Sequence, residues 1–217
     1  MGFLSGLFGK KEAPKRQLDH PNKLLKGDMI TFDDSFALPT QLRGQQLKVE
    51  GIHTYEYQRS QLCEFLLRGH SGSAIYLSYI KEDEPYLSIS MKINRAEVEQ
   101  LFDLEAFAEI FEEPGKATLS VQTLPSELSA EWDKWLSDEY HQVEFGCFGY
   151  FHRQDYRDLK PPQNDDDARG EGFEGYSLVN SDDSHAVDIE VYESGDTEVM
   201  LTLYRPLTDI REYWPAS

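Results

Sequence analysis

The chain has 217 residues, 39% hydrophobic and 12% aromatic. That is enough for one large domain or two small ones, and too apolar for a disordered chain. Its 40 acidic residues against 21 lysines and arginines give a formal charge of −19, which lacks the basic footprint that binding DNA or RNA demands and repels the body from anionic lipid.

The charge is unevenly spread. Through Gly27 there are six Lys/Arg and two acids; the remainder carries fifteen and thirty-eight. Residues Met1–Lys11 read M-G-F-L-S-G-L-F-G-K-K. On a helix Phe3, Leu4, Leu7 and Phe8 form one stripe, with Lys10 and Lys11 following, the pattern of a short interfacial anchor. Docking of this tip on a partner helix or on its own body, or a tail without function, are the other readings. Three glycines and the ordering of the backbone make such binding weak and reversible. The apolar stretch is broken by glycine and precedes its lysines, unlike a signal peptide, and no window approaches a membrane span. The expected compartment is the cytoplasm. Residues 1–23 are therefore expected as tip and linker, and 24–217 as an acidic β-rich body with possible halves 24–122 and 138–217.

Strand signals dominate that body. They predict strands at 28–32, at 47–57 with a bulge near Gly51, and at 62–68. A hairpin follows, of 74–80 and 86–93. The period then changes. Asn94 and Glu97 form a capping-box pair ahead of a helical segment over about 94–112. Val98, Leu101 and Phe102 share one face of it, and Leu104, Phe107, Ala108 and Phe111 another, with the change at Asp103. A short strand is expected at 117–122. A helix capped by Ser126 is expected over about 126–137, with Leu128, Trp132, Trp135 and Leu136 inward.

Residues 140–153 alternate over a long strand that Gly146 and Gly149 are expected to bend. Strands at 172–180, 185–193 and 197–205 follow, the last two joined at Ser194–Asp196. The tail 206–217 can pack back on the body. The fold class is thus α+β: β-dominated antiparallel sheets or partial barrels with short helices. The segment from Glu64 and the segment from Gly175 echo each other at an offset of about 111–112 residues. Either a meander is duplicated, or two antiparallel meanders simply look alike.

Motifs for chemistry are sparse. In the acidic stretch 164–174, Asp165, Asp167 and Gly170 suit a calcium loop, but Arg169 and Tyr176 fall where ligands are required. A solvated loop fits better. The six histidines show no metal-ligand spacing, so no metal and no cofactor are expected. Cys63 and Cys147 read as reduced thiols, with a disulfide or catalytic thiol as lesser readings. No nucleophile elbow or phosphate loop occurs, so no catalytic residue is assigned. Tyr55, Tyr57, Phe148, Tyr150 and His152 are a possible aromatic recognition face, unless both sheet faces are covered and they are core.

The Met1–Lys11 start, L-L-K-G-D-M-I-T-F from Leu24, L-R-G-Q-Q-L-K-V-E-G-I-H-T-Y-E-Y from Leu42, and a Trp-rich helix before a long aromatic strand resemble the YjfK-like family of uncharacterised Gram-negative bacterial proteins. The resemblance implies an envelope-associated accessory role beside PspA-like membrane-stress proteins. It carries over no catalytic residues. The expected function is a non-enzymatic cytoplasmic binding or adaptor protein. It meets the inner membrane, or a PspA-like partner, through Phe3, Leu4, Leu7, Phe8, Lys10 and Lys11. A hydrolase or transferase with an acid/base site between the halves is the alternative, and an oligomer joined through the tip a third reading.

Overall fold

A computed structural model describes residues 16–70, 72–162 and 170–216. The tip residues Phe3, Leu4, Leu7, Phe8, Lys10 and Lys11 lie outside the described residues, as does most of the acidic loop.

The chain folds as strands β1 (Met29–Phe32), β2 (Gln46–Tyr57), β3 (Gln61–Arg68), β4 (Ala74–Ile80) and β5 (Tyr86–Ile93). Helices α1 (Arg95–Leu101) and α2 (Leu104–Ala108) come next, then β6 (Thr118–Ser120), α3 (Ser126–Glu131) and β7 (Glu139–His152). Strands β8 (Glu171–Val179), β9 (His185–Tyr192), β10 (Thr197–Pro206) and β11 (Ile210–Trp214) complete it. All eleven strands belong to one antiparallel sheet ordered β11-β1-β2-β3-β4-β5-β10-β9-β8-β7-β6. Strands of both expected halves therefore enter a single sheet.

The sheet closes. The C-terminal part of β2 pairs with that of β7 in the register Thr54–His152 to Tyr57–Gly149. Strands β2, β3, β4, β5, β10, β9, β8 and β7 thus form an antiparallel ring, a barrel without free edges along that seam. The first residues of β2 carry β1, with β11 beyond it, and the first residues of β7 carry β6. Two runs share one pairing order: β1 through β5 and β6 through β10. They meet at a second seam between β5 and β10, where Ser90 faces Thr202.

Closure depends on β7 serving three neighbours. Its register shifts twice between Gln142 and Cys147, and Gly146 within that stretch has φ +61°. Such bulges bend a strand and strengthen its twist, so one end of β7 lies on β6 and the other on β2. Gly149 is required where the seam is tightest. A Cβ there would sit 2.7 Å from the Phe173 ring and 3.1 Å from the Glu56 carbonyl oxygen.

The strands divide two chemistries between their faces, as alternation dictates. On one face Leu77, Ile89 and Leu201 are fully buried, with Phe65, Leu67 and Val187. The helical segments, the 33–45 loop and the turn after α3 add Leu101, Phe102, Ile110, Leu42 and Trp135 to the same core. Each such side chain contributes about 1.5–3 kcal/mol relative to exposure. The opposite face bears Ser78, Ser90, Asp188, Glu190 and Thr202. It is the inner one: the Tyr55 hydroxyl of β2 reaches Glu190 of β9, three strands around the ring.

The helices differ in detail from the sequence pattern. Asn94 and Glu97 make the reciprocal capping box of α1, and Asp103 caps α2. The face of Leu104 and Phe111 is largely exposed (48% and 37%), whereas Ile110 is fully buried. The last turn, Glu109–Phe111, is a 3-10 helix, whose tighter winding brings Ile110 inward. The helix expected to run to 137 stops at Glu131, and Ser126 is its first residue, not its cap. Lys134 adopts φ +67°, which ends the helical path, yet Trp132 and Trp135 are still buried.

Candidate binding site

Inside the ring is a cavity of 230 Å³. Every ring strand contributes to its wall. Tyr55 and Tyr57 come from β2, Glu64 from β3, Ser78 from β4 and Ser88 from β5. Glu144 comes from β7, Ser177 from β8, Asp188 and Glu190 from β9, and Tyr204 from β10. A wall built from all eight strands can only surround the ring's own lumen.

Neighbouring strands fix the carboxylates. Asp188 accepts hydrogen bonds from Ser177 Oγ and Thr202 Oγ1, each at 2.6 Å. Because Thr202 donates there, Ser90 donates to Thr202 across the β5–β10 seam, at 2.9 Å. Glu190, 7% exposed, accepts from the hydroxyl of Tyr192 and, at 3.3 Å, from that of Tyr55. Glu64 lies 3.0 Å from His53 Nδ1. Tyr55, Phe151, Phe173 and Tyr192 pack at one end as a separate aromatic cluster. The Tyr55 and Phe151 ring centres are 5.0 Å apart.

Burial raises the Glu190 carboxyl to about 8, and the charges of Glu64 and Glu198 push the same way. The hydroxyls of Tyr192 and Tyr55 oppose this shift without cancelling it. Asp188 is likewise raised, chiefly by burial, against the hydrogen bonds from Ser177 and Thr202. Lys92 on β5 is bound to Glu198 and lies over the Tyr76 ring, 4.6 Å from its centre. Burial works against its charge, but Glu198 wins and its pKa is raised.

A second cavity of 600 Å³ adjoins the first, because Tyr86 and Tyr204 line both. Their rings meet edge to face at 5.3 Å. Its wall carries Glu82, Glu84 and Asp183 against one cation, Arg205, and that arginine is paired with Asp209. A third cavity of 570 Å³, at the N-terminal end of the described chain, is lined by Arg16, Lys23, Lys81 and Arg157. Asp28, Asp19 and Asp155 neutralise Arg16, Lys23 and Arg157.

The five aromatic positions singled out in the sequence do not share one face. Residues opposite each other in an antiparallel pair point the same way. Tyr55 faces Phe151 and Tyr57 faces Gly149, whereas Glu56 faces Tyr150 and Thr54 faces His152. Tyr55 and Tyr57 therefore belong to the lumen, and Phe148, Tyr150 and His152 to the outside. Of these only Phe148 is well exposed, at 49%; Tyr55 and His152 are each 4% exposed. His152 lies 3.0 Å from Glu56 and meets the Tyr156 ring edge to face. Among the described residues no group of three or more His, Cys, Asp or Glu could hold a metal ion. Both cysteines are free thiols.

Sequence reasoning missed Glu64, Ser78, Asp188 and Glu190. In H-A-V-D-I-E-V-Y, two acids alternate with apolar residues, and that signal does not distinguish a lumen from solvent. Comparisons with protein-family models, with curated proteins and with solved structures found no match.

Proposed function

We propose that this chain is a non-enzymatic binding protein whose barrel lumen receives a small polar ligand. The cavity enclosed by all eight ring strands carries this reading. Ligand pockets are concave, largely preformed and furnished with a few convergent polar groups, and the mouths of β-barrels are a common place for them. The Met1–Lys11 peptide supplies the adaptor part of the function. Its apolar stripe and lysines suit weak peripheral attachment to the inner membrane or to a PspA-like partner, with the acidic body held in the cytoplasm. The equivalent pairing of β1–β5 and β6–β10 supports an origin by duplication of a meander, and so does the 112-residue separation of the facing Ser90 and Thr202.

One observation favours a second reading. Glu64 joins the cavity wall to His53, a carboxylate–histidine pair at 3.0 Å that a hydrolase or transferase could use as acid and base. A ligand recovered chemically unchanged after prolonged incubation speaks for binding, and a converted one for catalysis.

The lumen reading is tested by placing a thiol in it. The Ser88→Cys variant is expected to react at pH 8 with the small neutral reagent methyl methanethiosulfonate. Burial pushes the native thiols up, Cys63 to about 12 and Cys147 to about 11, so their background is slow. A Ser88→Cys thiol that reacts only after denaturation contradicts the reading.

A further inference from the structure

We infer that the lumen selects a small organic ammonium compound, a ligand that brings positive charge and N–H donors together. The inference rests on the binding reading of the same cavity and adds the chemistry of its occupant.

Three features carry it. Carboxylates of Glu64, Asp188 and Glu190 face the cavity, and Glu144 lies at its wall. The lysine of the inner face, Lys92, is committed to Glu198. The lumen wall is therefore rich in acidic groups, and burial strengthens the attraction of each ionised one for a cation. Hydroxyl groups supply the second, independent feature. Ser78, Ser88 and Ser177 line the cavity, and a serine hydroxyl oxygen accepts hydrogen bonds. A ligand N–H donates to these oxygens, and the carboxylates accept from its remaining N–H groups. The third feature is the approach. The outer cavity, which shares Tyr86 and Tyr204 with the lumen, is lined by Glu82, Glu84 and Asp183. Such a vestibule concentrates cations and repels anions.

Size and shape narrow the class. At 230 Å³ the lumen is below the usual range for drug-sized ligands, about 300–1,000 Å³. The aromatic side chains of Tyr55 and Phe173 line the wall and complement the alkyl part and the charge of an ammonium compound. Glu190 is held to about 8, the state of a buried carboxyl whose counter-charge is incomplete, which an entering cation would lower.

Calorimetric titration of the full chain at pH 8 with putrescine, butane-1,4-diol and succinate tests the inference. Putrescine is expected to bind, with the diol and the dianion at least tenfold weaker. Glu190→Gln is expected to weaken putrescine at least tenfold, and Ser78→Ala more mildly, with circular dichroism unchanged in both. Equal binding of diol and putrescine overturns the ammonium inference. So does failure of all three to bind, and so does putrescine binding that Glu190→Gln and Ser78→Ala leave untouched. Labelling of the Ser88→Cys variant by the neutral reagent separates the two levels: if it labels, only the ligand class falls; if it does not, the pocket falls with it.

Discussion

Glu190 shows how a single side chain records the character of the lumen. Its folded carboxyl titrates at about 8, against an ordinary value of 4.5. As pH rises through that ordinary value, the unfolded chain gives up its proton while the folded chain keeps it. The folded state then binds more protons, and stability declines with pH until the folded carboxyl also ionises near 8. Burial is the main cause of this shift; the charges of Glu64 of β3 and Glu198 of β10 add to it, and the hydroxyls of Tyr55 of β2 and Tyr192 of β9 oppose it. Glu190→Gln is therefore expected to stabilise the protein at pH 9 by an amount on the order of a few kcal/mol, and to change it little at pH 5. Thermal unfolding across that range checks it; equal effects at both pH values contradict the assignment. Nothing in the local sequence announced this residue. Its acid character was visible, but whether its side of β9 meets water or a closed lumen depends on partners far along the chain.

Much was legible among the elements, because most strands have short-range causes. Alternating Ile75, Leu77, Leu87 and Ile89 define β4 and β5, and Gly51 marks the bulge in β2. Asn94 with Glu97 fixes the start of α1. What failed had a longer-range or subtler cause. The 3-10 turn that buries Ile110 and the left-handed Lys134 that stops the helical path are tertiary adjustments. The aromatic face was lost to register: only the pairing of Tyr55 with Phe151 reveals that Tyr55 and His152 look in opposite directions. The β2–β7 seam is the element on which ring closure depends. Gly149→Ala drives a methyl group into Phe173 and the Glu56 carbonyl, and is expected to cost about 1–3 kcal/mol. Chemical denaturation measures it. Gly72→Ala is a useful contrast, since no atom lies within 4 Å of a Cβ there and the cost comes only from its φ of +79°. An equal or smaller loss at Gly149 contradicts a tight seam.

At the scale of the molecule, two features of charge stand apart. The body is acidic, and no helix among its described residues is long and apolar enough to cross a membrane. The opening peptide is apolar and basic. Co-sedimentation with anionic vesicles is expected for the full chain, to fall at least severalfold with Leu7→Glu or with deletion of the first twelve residues, and to weaken in high salt. Unchanged sedimentation of all three proteins contradicts membrane attachment through the tip. The closed ring is the other whole-molecule property, and the least legible in sequence, because it arises where strands separated by nearly a hundred residues pair. It turns alternating polar residues into an acidic lumen with a vestibule. The most direct measurement is the rate at which the Ser88→Cys thiol reacts with aminoethyl and with sulfonatoethyl methanethiosulfonate, each normalised to the unfolded chain. An open, anionic lumen predicts that the cationic reagent reacts at least tenfold faster; equal rates, or no reaction with either, would contradict it.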